Sequence, residues 1–269
     1  MYAFEYQRAK SLADAASALA KTGGKALAGG QSLVGAMKLR LANPGTLVDL
    51  SGVPELKGIK KDGDAIVIGA LTTHAEVASS PIVRQAIPAL AALAEGIGDR
   101  QVRNRGTLGG SLANNDPAAD YPAAVLGLGA SVHTNKRKIA ADDFFKGMYE
   151  TALAADEIIT AVSFPVPKKA AYVKFPQPAS RFALVGVFVA QTAGKGNEGI
   201  RVAVTGAASH VHRAKPIEDA LAKSFTADAA KAVKIPAAHL NNDLHGSAEY
   251  RAHLVSVLAA RAITATGGK

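Results

Sequence analysis

The feature that most restricts the fold is an abrupt change in how strands and helices alternate along the chain. Over the first fifty residues, short apolar runs (FEY, KALA, TLVDL) are separated by helix-forming stretches, Ser11 to Lys21 and Ser32 to Leu41. This β-α-β-α-β order predicts a small parallel sheet with right-handed crossovers. Ser11 and Asp14 read as a capping box, and Leu12, Ala15, Ala16 and Leu19 share one helical face. The last third reads differently, with three long strand candidates (AAYVKF, FALVGVFVAQ, IRVAVTGAAS) followed by helices from Pro216, Thr226 and Ser247. Strands first and helices after predict an α+β unit.

Between these lies a middle region. Leu56 to Ile59 and AIVIGA around an Asp-Gly turn predict a strand pair, Thr73 and Ser80-Pro81 predict helix starts, and Ala89 to Ala94 continues as helix. Gly96 to Asp120 fits neither period and reads as an ordered functional loop. A short helix is expected after Asp116-Pro117, then strands near Ser131 to Thr134 and Glu157 to Phe164. Pro165 and Pro167 break the pattern, so the boundary is placed there: 1–167, with subdomains of about 1–55 and 56–167, and then 168–269. No fixed-period repeat is visible.

The 269 residues contain no cysteine, which excludes disulfides and thiolate-held clusters from this chain, so any iron–sulfur centre sits on another polypeptide. The N-terminus carries charge and aromatics from its fourth residue, and no apolar run reaches about 18 residues. Neither a secretory signal nor a membrane span is expected, and the cytoplasm is the expected compartment. With 31 Lys and Arg against 22 Asp and Glu, the net charge is +9, which fits an anionic partner or simple solubility.

Two glycine clusters carry the chemical signal: AGGQS at Ala28 to Ser32 and GTLGGS at Gly106 to Ser111. Consecutive glycines let backbone N–H groups converge on an anion, a helix start adds positive potential, and Ser32 is placed to cap the next helix. Two such nests suit a diphosphate, although paired glycines also form plain tight turns. Known nucleotide fingerprints fail. GLGASV at Gly127 and GIGDRQ at Gly96 lack the last glycine of a dinucleotide motif, and no P-loop Lys follows Gly24 to Gly29. Val34 spoils a nucleophile elbow at Ser32. His210 and His212 are the only pair able to share a strand face, and with no third ligand adjacent they read as a polar strand end, so no metal site is expected. Arg100, Arg103 and Arg105 lack the aromatics that single-strand nucleic-acid binders interleave.

The segments LAGGQSLVGAMKLRLANP, LVDLSGVPELKGI, IVIGALTTHAEV, GDRQVRNRGTLGGSLANNDPAADYPAA and GSAEYRAHLV resemble, in order, the FAD-binding medium subunits of aerobic carbon monoxide dehydrogenases and xanthine dehydrogenase-type molybdenum hydroxylases. The resemblance implies an α+β fold, with a two-subdomain FAD-binding domain of the vanillyl-alcohol-oxidase (PCMH) type and a smaller α+β C-terminal domain of antiparallel sheet plus helices. It implies non-covalent FAD held by Ala28, Gly29, Gly30, Gln31, Ser32 and Leu33 and by Thr107, Leu108, Gly109, Gly110 and Ser111. By the same transfer Asp120 takes the ribose or adenosine end, Ile97 lies against the flavin, Ile159 offers backbone near the adenine, and Lys174 approaches the isoalloxazine, where its loss is expected to lower the flavin potential. No carboxylate follows Arg181 in SRFALVGV, where the family often has an Asp.

The implied activity is that of an oxidoreductase subunit with no catalytic side chain of its own. Electrons come from a large molybdenum-cofactor subunit through a small [2Fe–2S] subunit and leave from FAD to an external acceptor, in a heterotrimer or a dimer of heterotrimers. The alternatives are a self-contained FAD-dependent oxidase, for which no catalytic base stands out, and a basic nucleic-acid-binding module, for which charge is the only warrant.

Overall fold

The computed structural model describes residues 1–194 and 199–267, and it contains three main sheets built from consecutive stretches of chain. In the first, Glu5–Arg8 and Lys25–Leu27 flank Thr46–Asp49, and both pairings are parallel. The helices Leu12–Thr22 and Leu33–Lys38 make the crossovers, as the alternating pattern predicts. Ser11 caps the first helix by accepting from the Asp14 amide at 3.1 Å. The return bond goes from the Lys10 amide to Asp14 Oδ2, one residue earlier than a capping box requires. Gly23 ends this helix at φ +60°, where its N–H reaches the Leu19 carbonyl.

The second sheet is antiparallel throughout, in the order Ile59–Asp62, Ala65–Gly69, Ile159–Pro165, Ser131–Thr134, Lys138–Ala140. Its last strand is absent from the sequence-based expectation, because KIA is too short to show a period. Helices His74–Ser79, Pro81–Ala86, Pro88–Glu95 and Tyr121–Gly127 lie in the same unit, and Thr73 and Glu76 form the complete capping box here. The stretch from 96 to 120 is not a loop: it holds the helices Arg100–Arg105 and Leu108–Asn114. Each has fewer than two full turns, too few to display a periodicity, and each is started by a side-chain cap. Asp99 accepts from the Val102 amide at 2.8 Å, and Thr107 accepts from the Gly110 amide at 3.1 Å.

The third sheet is antiparallel, in the order Lys169–Pro176, Ala183–Gln191, Ile200–Thr205, His212–Arg213. Helices Lys215–Lys223, Ala227–Lys231 and Ala248–Ala265 follow it in sequence. His210 precedes the two-residue strand, so it shares no strand face with His212. Ala183–Gln191 is buried on both faces, which is why its sequence is continuously apolar. Val185, Val187 and Val189 pack with the long C-terminal helix, while Phe188 and Ala190 enter the core of the second unit. Each buried apolar side chain of this size contributes about 1.5–3 kcal/mol. Arg201 fastens the same junction from the polar side, donating to the Leu126 carbonyl at 2.9 Å and pairing with Asp142 at 2.7 Å.

Candidate functional site

The two glycine clusters, far apart in sequence, meet in space. A Cβ on Gly29 would overlap the Arg105 carbonyl and come within 2.9 Å of Gly106 Cα, and a Cβ on Gly110 would lie 3.7 Å from that of Ala28. Gly30 has φ +76°, a conformation that disfavours any side chain. The Gly29, Gly30, Gln31 and Ser32 N–H groups have no acceptor among the described residues. They precede or open the helix Leu33–Lys38, so unpaired donors and the helix dipole coincide. Ser32 makes no cap: its backbone is helical (φ −103°, ψ −55°) and its side chain bonds no amide of the first turn. Its hydroxyl therefore remains available beside the donors.

The second cluster is built differently. Leu108 N–H donates to the Thr72 carbonyl at 3.1 Å, Gly109 N–H to Ala70 at 2.8 Å, Gly110 N–H to Thr107 Oγ1 and Ser111 N–H to the Thr107 carbonyl. These amides are already bonded, so the expected second nest of free N–H groups is not formed. The glycines serve close packing instead, since a Cβ on Gly109 would lie 2.6 Å from Ala70 Cβ. What this cluster presents is a tightly seated turn, with Gly110 and Ser111 half-buried beside Ala28.

His74 supports that turn from below. Its amide donates to the Gly106 carbonyl at 2.9 Å, and its ring packs 5.2 Å from that of Tyr121. Burial, reinforced by the nearby Arg103, lowers its pKa to about 4, so the imidazole is neutral at physiological pH. His74 Nδ1 and Tyr121 Oη are both buried without a partner among the described residues. TTHAE signals a helix start in the sequence, but nothing there shows that the histidine faces inward.

The remaining predicted residues form a second focus. Ile97 lies in the turn before Arg100–Arg105, where Arg103 Nη1 donates to the Ile97 and Gly98 carbonyls at 3.0 Å. Lys174, from the third sheet, donates to the Gly96 carbonyl at 2.9 Å and lies 3.0 Å from Asp120 Oδ1. Tyr172 Oη donates to the same Asp120 oxygen at 2.6 Å. Burial pushes the Asp120 carboxyl above its ordinary range, with Lys174 and Tyr172 opposing the shift. Tyr172 and Gly96 carry no sequence signal for this cluster, which needs a strand about fifty residues downstream to fold back. Ile159 sits apart, buried in the second core at the bulge opposite Thr134. Its neighbour Ile158 packs with Ala28 in the first core.

Comparison with known proteins shows the family. The family described as the FAD binding domain in molybdopterin dehydrogenase matches residues 2–167, and the CO dehydrogenase flavoprotein C-terminal domain matches residues 170–266. The chain belongs to this flavoprotein family. It carries an FAD-binding domain and is a subunit of an oxidoreductase. It is 39% identical to the nicotine 6-hydroxylase medium subunit of Paenarthrobacter nicotinovorans, covering 99% of this chain and 98% of that one. It is 37% identical to the carbon monoxide dehydrogenase medium chain of Hydrogenophaga pseudoflava, covering 97% and 96%. The solved structure of quinoline 2-oxidoreductase from Pseudomonas putida 86 superposes on this flavoprotein with a TM-score of 0.88 at 31% identity, covering 98% of this chain and 97% of that one. The α+β fold, an FAD-binding domain followed by an α+β C-terminal domain, is that of carbon monoxide dehydrogenase structures. Among the described residues, no helix is long and apolar enough to cross a membrane.

Proposed function

We propose that this flavoprotein is the electron-transfer subunit of a heterotrimeric molybdenum hydroxylase, receiving electrons from the [2Fe–2S] clusters of a small partner subunit and delivering them to an external acceptor. The observation that carries the reading is the row of unpartnered N–H groups from Gly29 to Ser32, facing a turn that leaves no room for side chains. This cradle fits a diphosphate and offers an anion what a helix N-terminus offers. The absence of cysteine supports clusters on another chain. The relatives are medium subunits and medium chains of hydroxylases and dehydrogenases, which supports an assembly with a large molybdenum-cofactor subunit. A cytoplasmic location belongs to the same reading.

In this proposal Ala28 to Leu33 hold the diphosphate, with amides and the Ser32 hydroxyl donating. Thr107, Leu108, Gly109, Gly110 and Ser111 form the opposing wall, which acts by shape and by the Ser111 hydroxyl more than by amides. Asp120 uses Oδ1 for both Tyr172 and Lys174, so it stands at the same end of the cofactor as Lys174, and Oδ2 is left for a ribityl hydroxyl next to the ring rather than for the adenosine ribose. Ile97 supplies an apolar face beside Lys174, and Ile159 offers backbone near the adenine end. Bound FAD supplies the exchange between single-electron centres and a two-electron acceptor. The chain positions it, excludes water and places one cation near the ring. Residues 1–167 would form the cofactor domain and 168–269 the domain that closes over it.

The test is an absorbance spectrum of the purified chain, followed by release and chromatographic identification of any chromophore. About one equivalent of FAD per chain is expected. A colourless protein that also refuses added FAD overturns the proposal.

A further inference from the structure

A cleft of about 230 Å³ opens between the helices His74–Ser79, Pro81–Ala86, Pro88–Glu95 and Arg100–Arg105. Arg84, Arg100 and Arg103 line it together with Ser79, Asn104 and a single carboxylate, Glu95. None of these four charged residues takes part in a salt bridge among the described residues. Three guanidiniums facing one carboxylate leave an excess of about two positive charges, which in an unpaired cluster repel one another.

Two of the guanidiniums are held in place by the backbone. Arg84 Nε donates to the Ala78 carbonyl at 2.7 Å, and Arg103 Nη1 donates to the Ile97 and Gly98 carbonyls. Each keeps further N–H donors, and the Arg100 side chain makes no hydrogen bond within the chain among the described residues. A fixed fork matches phosphoryl or carboxylate oxygens in pairs. A planar carboxylate is satisfied by one fork. Three forks around one cleft match a group with oxygens on several sides.

We propose that this cleft is a binding site for a small phosphoryl anion, such as a diphosphate, distinct from the glycine cradle. Because Arg103 also holds the Ile97 turn, occupancy is transmitted to that turn by tightening the carbonyl contacts. The transmission rests on the flavin reading given above, whereas binding of the anion does not.

Calorimetric titration of the full-length Gly29→Ala chain, in which the glycine cradle is displaced, with sodium pyrophosphate at ionic strength held constant with sodium chloride tests the site. Saturable binding is expected, weakened at least about tenfold in Arg100→Ala and partly restored in Arg100→Lys. Arg100 lies outside the glycine cradle, so its loss reads this cleft alone. Heat that follows ionic strength only, or binding untouched by Arg100→Ala, overturns the proposal. Tighter binding of malonate than of pyrophosphate overturns the phosphoryl assignment. Transmission is read on the flavin-loaded chain, as a change in flavin absorbance saturating with the same midpoint. Binding without that change removes the transmission and leaves the anion site standing.

Discussion

Lys174 Nζ lies 3.0 Å from Asp120 Oδ1, joining the first strand of the third sheet to the start of the Tyr121–Gly127 helix in the second unit. Asp120 is buried and Lys174 is partly buried, and Lys174 also holds the Gly96 carbonyl. The pair therefore fixes the distance between the Ile97 turn and the sheet that covers it. Removing one member of a buried pair leaves an uncompensated charge, which costs about 3–5 kcal/mol.

Lys174→Met is expected to destabilise the protein by about that amount at neutral pH. The penalty should shrink on acidification. Burial already raises the Asp120 pKa above 3.8, so the protonated form is favoured by folding. A raised carboxyl contributes stability below its unfolded pKa and loses it as pH climbs through the folded value. Without Lys174 the folded value climbs further, so the difference in melting temperature between variant and parent should widen as pH rises from about 4. Melts across pH 4 to 8 check it, and a difference independent of pH would remove Asp120 as its source.

His74 gives the opposite sign. Its pKa falls from 6.5 to about 4 on folding, so the unfolded chain binds more protons between those values. Stability is full above pH 6.5 and is lost as pH falls towards 4, by about 3 kcal/mol if no other group compensates. His74→Leu removes the titrating group together with an unpartnered buried nitrogen. The variant should keep a flatter stability profile from pH 7 to 4.5, measured by chemical denaturation at each pH.

Much of this fold is legible in the sequence because the large elements carry their own period. The crossover helix Leu12–Thr22, the long strand Ala183–Gln191 and the helix Ala248–Ala265 appear where the apolar pattern places them. The helices Arg100–Arg105 and Leu108–Asn114 do not, since caps and contacts rather than periodicity make them helical. The site is legible in the same uneven way. Glycine pairs mark where backbone approaches backbone, but the sequence does not reveal that Gly109 N–H is already bonded to Ala70 while Gly29 N–H is free. That difference depends on which strand end lies beneath each turn.

Phe188 tests the junction between the third sheet and the second unit. The ring is fully buried, stacks with Tyr172 at 6.2 Å between centroids, and would touch any Cβ added at Gly127. Phe188→Ala is expected to cost about 3–5 kcal/mol from lost burial and the cavity left behind. Denaturant unfolding measures it, and a loss below about 1 kcal/mol would mean that the junction collapses to fill the space.

Gly29→Ala separates the cradle from the fold around it. The added Cβ meets the Arg105 carbonyl and the Gly106 backbone, neither of which can swing aside as a side chain can. The Ala28–Ser32 loop must then retreat from the second turn, carrying its unpartnered N–H groups with it. The loop is half-exposed and borders the cores without filling them, so the loss of global stability should be small, about 1 kcal/mol. FAD content should fall much further, because converging donors act on an anion only when all point at it. The check is flavin stoichiometry after purification beside the melting temperature of the cofactor-free protein. A variant that keeps one equivalent of FAD places the diphosphate elsewhere.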